Sequence, residues 1–157
     1  MRYLIIVLIL FLHNNSFAFG KDVNFIQSIN PKVDYHDAKR ISEYSREYSR
    51  KYNLEHDLVM AVMATESVFK KTAKTNKSTG IMQINHNAWK RDEDYKKIVK
   101  SSSSLKNPKT NIEAGCLILS KLKEKNQKRY VSKYLGERNY AYLKKVRDYR
   151  KEYAAME

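Results

Sequence analysis

Apolar and polar positions alternate along this chain with the period of helices. In Leu58–Phe69, Val59, Val62, Met63 and Phe69 recur at three- and four-residue spacing, which predicts a helix with one oily face. Glu66 falls on that face, four residues after Val62 and seven after Val59. Ile41, Tyr44, Tyr48 and Tyr52 make a second stripe, in a helix entered at Asn30–Pro31 and ended near Asn53. A tyrosine stripe suits sugar stacking or core packing, and amphipathic packing is the simpler role. Ile112, Cys116, Leu119 and Leu122 mark a third helix. Thr110 and Glu113 fit a capping box at its start, and Gly115 permits a close neighbour.

Later segments repeat the pattern on a smaller scale. Val131–Leu135 reads as a short helix closed by Gly136. Asn139 is placed to cap a last helix carrying Tyr142, Val146, Tyr149 and Tyr153 along one side. Asn87–Lys90 opens another short helix, Ser101–Ser104 reads as a polar loop, and Phe19–Asn30 as a loosely ordered lead-in. No repeat, heptad or long alternating strand appears, so the predicted fold class is mainly α.

The first residues change the domain count. Met1-Arg2-Tyr3 is a short basic start, and Leu4–Leu12 is an apolar run too short to span a bilayer comfortably. Ser16-Phe17-Ala18 offers small residues for cleavage after Ala18. The expected layout is a signal peptide at 1–18, a lead-in and first helix at 19–52, and the main domain at 53–157. An uncleaved membrane anchor is the competing reading, and no Cys near the cut supports a lipid anchor.

The 157 residues carry a formal charge of +14, which removal of Arg2 with the leader lowers by one. Such charge attracts polyanions. Nucleic acid rests on charge alone, and both the leader and the lack of a recognition motif argue against it. An anionic cell envelope fits better. Cys116 is the only cysteine, so no internal disulfide forms, and its apolar helix makes it a core residue. His13, His36, His56 and His86 have no metal-ligand spacing. No metal and no cofactor are expected.

Candidate chemistry centres on Glu66. A carboxyl on an oily helix face is partly desolvated, which favours the protonated acid. The plain alternative is a helix-end glutamate pointing to water. No other acidic residue occurs between Glu66 and Asp92. Lys70, Lys71, Lys74 and Lys77 follow as a basic loop that is either simply solvated or steers an acidic polymer. In Ser78-Thr79-Gly80-Ile81-Met82-Gln83-Ile84, Gly80 allows close backbone approach and Gln83 brings an amide donor and acceptor. Met82 and Ile84 read as core, and Glu113 as a capping residue instead of a second acid.

Taken together these segments resemble the lytic transglycosylase domain of the soluble-transglycosylase type, over Asn53–Val146. Glu66-Ser67 looks like the end of that family's first signature helix, and Gly80-Ile81-Met82-Gln83 like its Gly-Leu-Met-Gln segment. Asn107-Pro108 with Asn111-Ile112 and Gly115 looks like the third signature, and Tyr142-Leu143-Lys144-Lys145-Val146 like the closing one. One departure is Lys133-Tyr134-Leu135-Gly136, where the family carries Ala-Tyr-Asn.

The resemblance implies a single lysozyme-like domain cleaving peptidoglycan glycan strands. Glu66 would be the general acid and base, and the sugar's own 6-hydroxyl the nucleophile, leaving 1,6-anhydro ends. Ser67, Ser78, Gly80, Met82, Gln83, Tyr134 and Tyr142 would form the substrate-binding set. Ser67 and Gln83 would bond substrate or orient Glu66, and Ser78 would place the N-acetyl group. Tyr134 and Tyr142 would line the cleft, and Tyr142 would bond Glu66. A hydrolytic lysozyme and a weakly active peptidoglycan-binding accessory are the alternatives. The short chain is also similar to accessory transglycosylases of secretion and conjugation machines, which implies the periplasm.

Overall fold

The computed structural model describes residues 19–125, 129–134 and 140–156. The expected signal peptide, the Gly136 helix stop and the Asn139 cap lie outside the described residues.

The architecture is helical around one buried rod. α3 (His56–Ser67) has every residue from Leu58 to Ala64 buried. This differs from the predicted single oily face. Its run of Leu, Val, Met and Ala is apolar all round, and such a helix is stable only when neighbours cover every side. α8 (Tyr140–Ala155) lies along it, presenting Tyr142, Val146 and Tyr153. α2 (Tyr35–Lys51) and α6 (Pro108–Lys125) pack on each other, α2 also meeting α3. α4 (His86–Trp89), α5 (Glu93–Ile98), a 3-10 turn at Ser102–Lys106 and α7 (Tyr130–Tyr134) complete the domain. Pairing outside helices is limited, among the described residues, to single bridges at Lys74–Thr79 and Thr79–Ile84. The mainly α, lysozyme-like class expected above holds.

Four local expectations are corrected. Residues 19–29 form a helix, α1, not a loose lead-in. Val23, Phe25 and Ile26 are buried, and the Phe25 ring meets Phe69 edge-on at 5.8 Å and Tyr153 at 5.2 Å. α1 therefore shares the core of the main domain, across the expected boundary at 52–53. α2 starts at Tyr35, not at Asn30–Pro31, because Asp34 is its cap and accepts the Asp37 N–H at 2.9 Å. α6 starts at Pro108, so Thr110 and Glu113 lie within the helix. Asn107 Oδ1 takes the Lys109 and Thr110 N–H groups, and Glu113 pairs with Lys51 at 2.6 Å. Ser101–Ser104 is not a plain loop, for Ser101 and Ser104 form the capping box of the 3-10 turn.

Gly115 is tolerant of a close neighbour, as expected. A Cβ there would overlap the Met82 thioether, so Met82 packs directly on the α6 backbone.

Candidate active site

Glu66 sits in the last turn of α3, where the buried rod reaches the surface of a cleft of about 430 Å³. The loop after α3 supplies Lys77 and Ser78 to the cleft, and Gln83, Ile84 and Asn85 further along it line the cleft as well. Trp89 of α4, Ile118 of α6, and Lys133 and Tyr134 of α7 close it. Glu66 is the one carboxylate among the described residues that line this cleft.

Burial pushes the Glu66 carboxyl up to about 7, against an opposing pull from a hydrogen bond. The donor is Tyr142 Oη, 2.8 Å from Glu66 Oε1. Tyr142 is itself buried on α8, and its phenol is pushed well above its usual range by burial and by the facing carboxyl. It stands behind Glu66 and does not line the cleft, unlike the expectation above. A protonated carboxylic acid is thus available near neutral pH, with Oε1 fixed and Oε2 left to carry the proton.

The segment facing Glu66 owes its shape to a buried asparagine. Asn111 Nδ2 donates to Thr79 O and to Leu105 O, each at 2.9 Å, and its Oδ1 accepts the Met82 N–H at 2.8 Å. Gly80 has φ 84°, and a Cβ there would overlap the Asn111 amide. Gly80 therefore makes room for the Asn111 amide. Gln83, at φ 48°, turns the chain back into the cleft, with its Nε2 donating to Gly80 O at 2.8 Å.

The remaining expected site residues divide into two groups. Ser78, Gln83 and Tyr134 line the cleft with Glu66. Tyr134 Oη donates to Met82 O at 2.9 Å, fastening α7 to the Gln83 turn. Ser67, Gly80 and Met82 lie behind the wall. Ser67 Oγ is buried and donates to Ile81 O at 2.7 Å, joining the Glu66 turn to the facing segment. Met82 is fully buried against Gly115. These three are not among the residues that line the cleft.

Of the basic loop, Lys77 borders the cleft and Lys74 an adjoining hollow of about 360 Å³ that also receives His86 and Lys106. Lys71 pairs with Asp37. Sequence reasoning missed Trp89 and the role of Asn111. Trp89 is the only tryptophan, on a helix capped by Asn85, and a partly buried indole at a cleft is a natural platform for a sugar ring.

Among the described residues no cluster of three or more His, Cys, Asp or Glu has the arrangement of a metal site. Comparison with protein-family models matches residues 43–145 to the Transglycosylase SLT domain. No curated protein and no solved structure gives a significant match.

Proposed function

Since the chain belongs to the transglycosylase SLT domain family, lyases that act on peptidoglycan, we propose that Glu66 is its sole general acid and base. The observation that carries this reading is the Glu66 carboxyl itself: raised to about 7, hydrogen-bonded by Tyr142, and the one carboxylate among the described cleft residues.

In this reading, Glu66 donates its proton to the glycosidic oxygen between N-acetylmuramic acid and N-acetylglucosamine. The C1–O bond breaks, and the substrate's N-acetyl oxygen stabilises the positive charge that grows at C1. The Glu66 carboxylate then removes the proton of the 6-hydroxyl, whose oxygen bonds to C1. The proton count closes on Glu66, and the product carries a 1,6-anhydro end. Enzymes that hydrolyse glycosides usually need a second carboxyl group as base or nucleophile. A cleft with one favours the intramolecular route. Ser78, Gln83 and Trp89 are the side chains assigned to hold the sugars, and Lys77 to attract the anionic polymer.

Glu66→Gln on purified sacculi tests the assignment. Release of soluble fragments should fall by about 10²- to 10⁴-fold, and the wild-type products should carry anhydro ends by mass spectrometry. A mutant as fast as the wild type would refute the acid assignment, and products with reducing ends would refute the intramolecular route. We further propose export through the 1–18 leader to the periplasm and action beside a secretion or conjugation machine. Fractionation of cells expressing the full chain checks the location.

A further inference from the structure

Residues 19–34 precede the family match at 43–145, yet they reach the turn that carries Glu66. α3 ends in two successive left-handed residues, Val68 at φ 48° and Phe69 at φ 60°. A β-branched residue avoids that region, so the turn persists only where its surroundings over-determine it. Phe69 is anchored by burial and by the edge of the Phe25 ring of α1 at 5.8 Å. Val68 lacks such an anchor, with 44% of its surface exposed.

Two hydrogen bonds hold Val68: its N–H donates to Ala64 O at 3.0 Å within the chain's own turn, and its carbonyl accepts one from outside the helix. Asn30 Nδ2, just beyond α1, donates to Val68 O at 2.8 Å, spanning 38 residues of sequence. Asn30 is itself fixed. Its N–H donates to Ile26 O at 2.9 Å, and its carbonyl and Oδ1 accept the Val33 and Lys32 N–H groups at 3.0 and 3.1 Å.

We propose that Asn30 is a positioning residue for Glu66: its amide clamps the Val68 carbonyl and so sets the left-handed turn that aims the acid into the cleft. The inference rests on Glu66 being the proton donor. Without the clamp, Val68 relaxes toward its preferred backbone region and the last turn of α3 frays. Glu66 then moves away from Tyr142 and toward water, and its carboxyl returns toward the ordinary range. The groups that face Glu66 are Tyr142 on α8, Tyr134 and Lys133 on α7, and Lys77 on the following loop. None of them is altered by the test.

The test compares Asn30→Ala, Asn30→Asp, Val68→Gly and the double variant N30A/V68G on soluble glycan fragments, with kcat and KM read separately across the pH range of the Glu66 titration. Both Asn30 variants should lose about tenfold in kcat at neutral pH with KM little changed. Their activity should also fade at lower pH than that of the wild type. Glycine takes positive φ without penalty, so Val68→Gly alone should match the wild type and should restore kcat and pH profile in the double variant. A purely structural Asn30 would lower the melting temperature and leave the pH profile of the folded enzyme in place. Wild-type kcat and profile in Asn30→Ala overturn the proposal, as does a double variant that fails to recover. Should Asn30→Ala not fold, the double variant alone decides: full kcat supports the clamp, and a depressed one refutes it. Full activity in Glu66→Gln would instead refute the acid assignment, so the two failures are distinct.

Discussion

Tyr142 Oη and Glu66 Oε1 meet at 2.8 Å although 76 residues separate them in the chain. The bond joins α8 to the end of α3 and gives Glu66 a fixed donor. Burial and hydrogen bonding act on the carboxyl in opposite directions, and burial wins, leaving the acid near 7. The phenol thus orients the acid while moderating its rise.

Tyr142→Phe should separate those two roles. Loss of the bond removes the downward pull, so Glu66 stays protonated to higher pH and the alkaline limb of the rate profile moves up. The same loss frees the carboxyl to rotate, and kcat should fall by about tenfold, the scale of one net hydrogen bond. Rate profiles of the two proteins check both effects. A limb that moves down would contradict the balance described above. It would also blur the contrast with Asn30→Ala, for which a downward shift is expected.

Glu66→Gln should make the protein more stable at alkaline pH while disabling it. The folded carboxyl titrates near 7 and the unfolded one near 4.5, so the fold disfavours the ionised form. The group's relative stability is fully present below 4.5 and is lost as pH rises through 7. Glutamine cannot ionise and escapes that loss, for a gain of about 3 kcal/mol at pH near 8. Denaturant unfolding at acidic and alkaline pH should show the two proteins diverging only on the alkaline side.

Two glycines should differ sharply when replaced by alanine. At Gly80 the added Cβ meets the Asn111 amide and the Leu105 carbonyl, the latter at 2.7 Å, on a backbone at φ 84°. Asn111 cannot move without abandoning three hydrogen bonds, two of them fully buried. Gly80→Ala should cost about 3 kcal/mol or more and also displace Gln83. At Gly115 the Cβ meets chiefly the flexible end of Met82, which can swing, so about 1–2 kcal/mol is expected. Thermal unfolding of the two variants should rank them in that order.

The sequence made the helical class, the presence of α3 and the α6 and α8 stripes readable, because each depends on apolar residues within one element; that α3 is apolar all round and stops at Ser67, before the left-handed Val68 and Phe69, was not. The reach of Glu66 into a cleft was likewise visible from its place among Val59, Val62 and Met63. What escaped depends on partners far along the chain. α1 was hidden because its apolar residues surround a buried aspartate, whose partners lie 20 to 131 residues away. The start of α6 was misplaced because Asn107 competes with Thr110 for the same free N–H groups, and Asn107 reaches two of them. Ser67 and Met82 looked available to a substrate because sequence shows a motif but not which side of it faces the groove.

That aspartate supports the last prediction. Asp22 is fully buried and accepts hydrogen bonds from Ser42 Oγ at 2.6 Å, Arg46 Nε at 2.7 Å and Tyr153 Oη at 2.6 Å, with His56 Nε2 at 3.1 Å. It fastens α1 to α2, α3 and α8 at one point. Burial by itself would raise its carboxyl, but the His56, Ser42 and Tyr153 contacts outweigh burial and hold it below 3.8. A depressed carboxyl contributes stability above its unfolded value and loses it as pH falls through the folded one. Asp22→Asn keeps the shape but drops the charge facing Arg46 and leaves one donor too many. It should cost about 3 kcal/mol at neutral pH and flatten the acid limb of the stability profile. Because Phe25 of the same helix abuts Phe69, its loss should also lower activity at temperatures approaching the melting midpoint. A variant as stable as the wild type at neutral pH, with its acid limb unchanged, would mean that α1 is held by its apolar face alone.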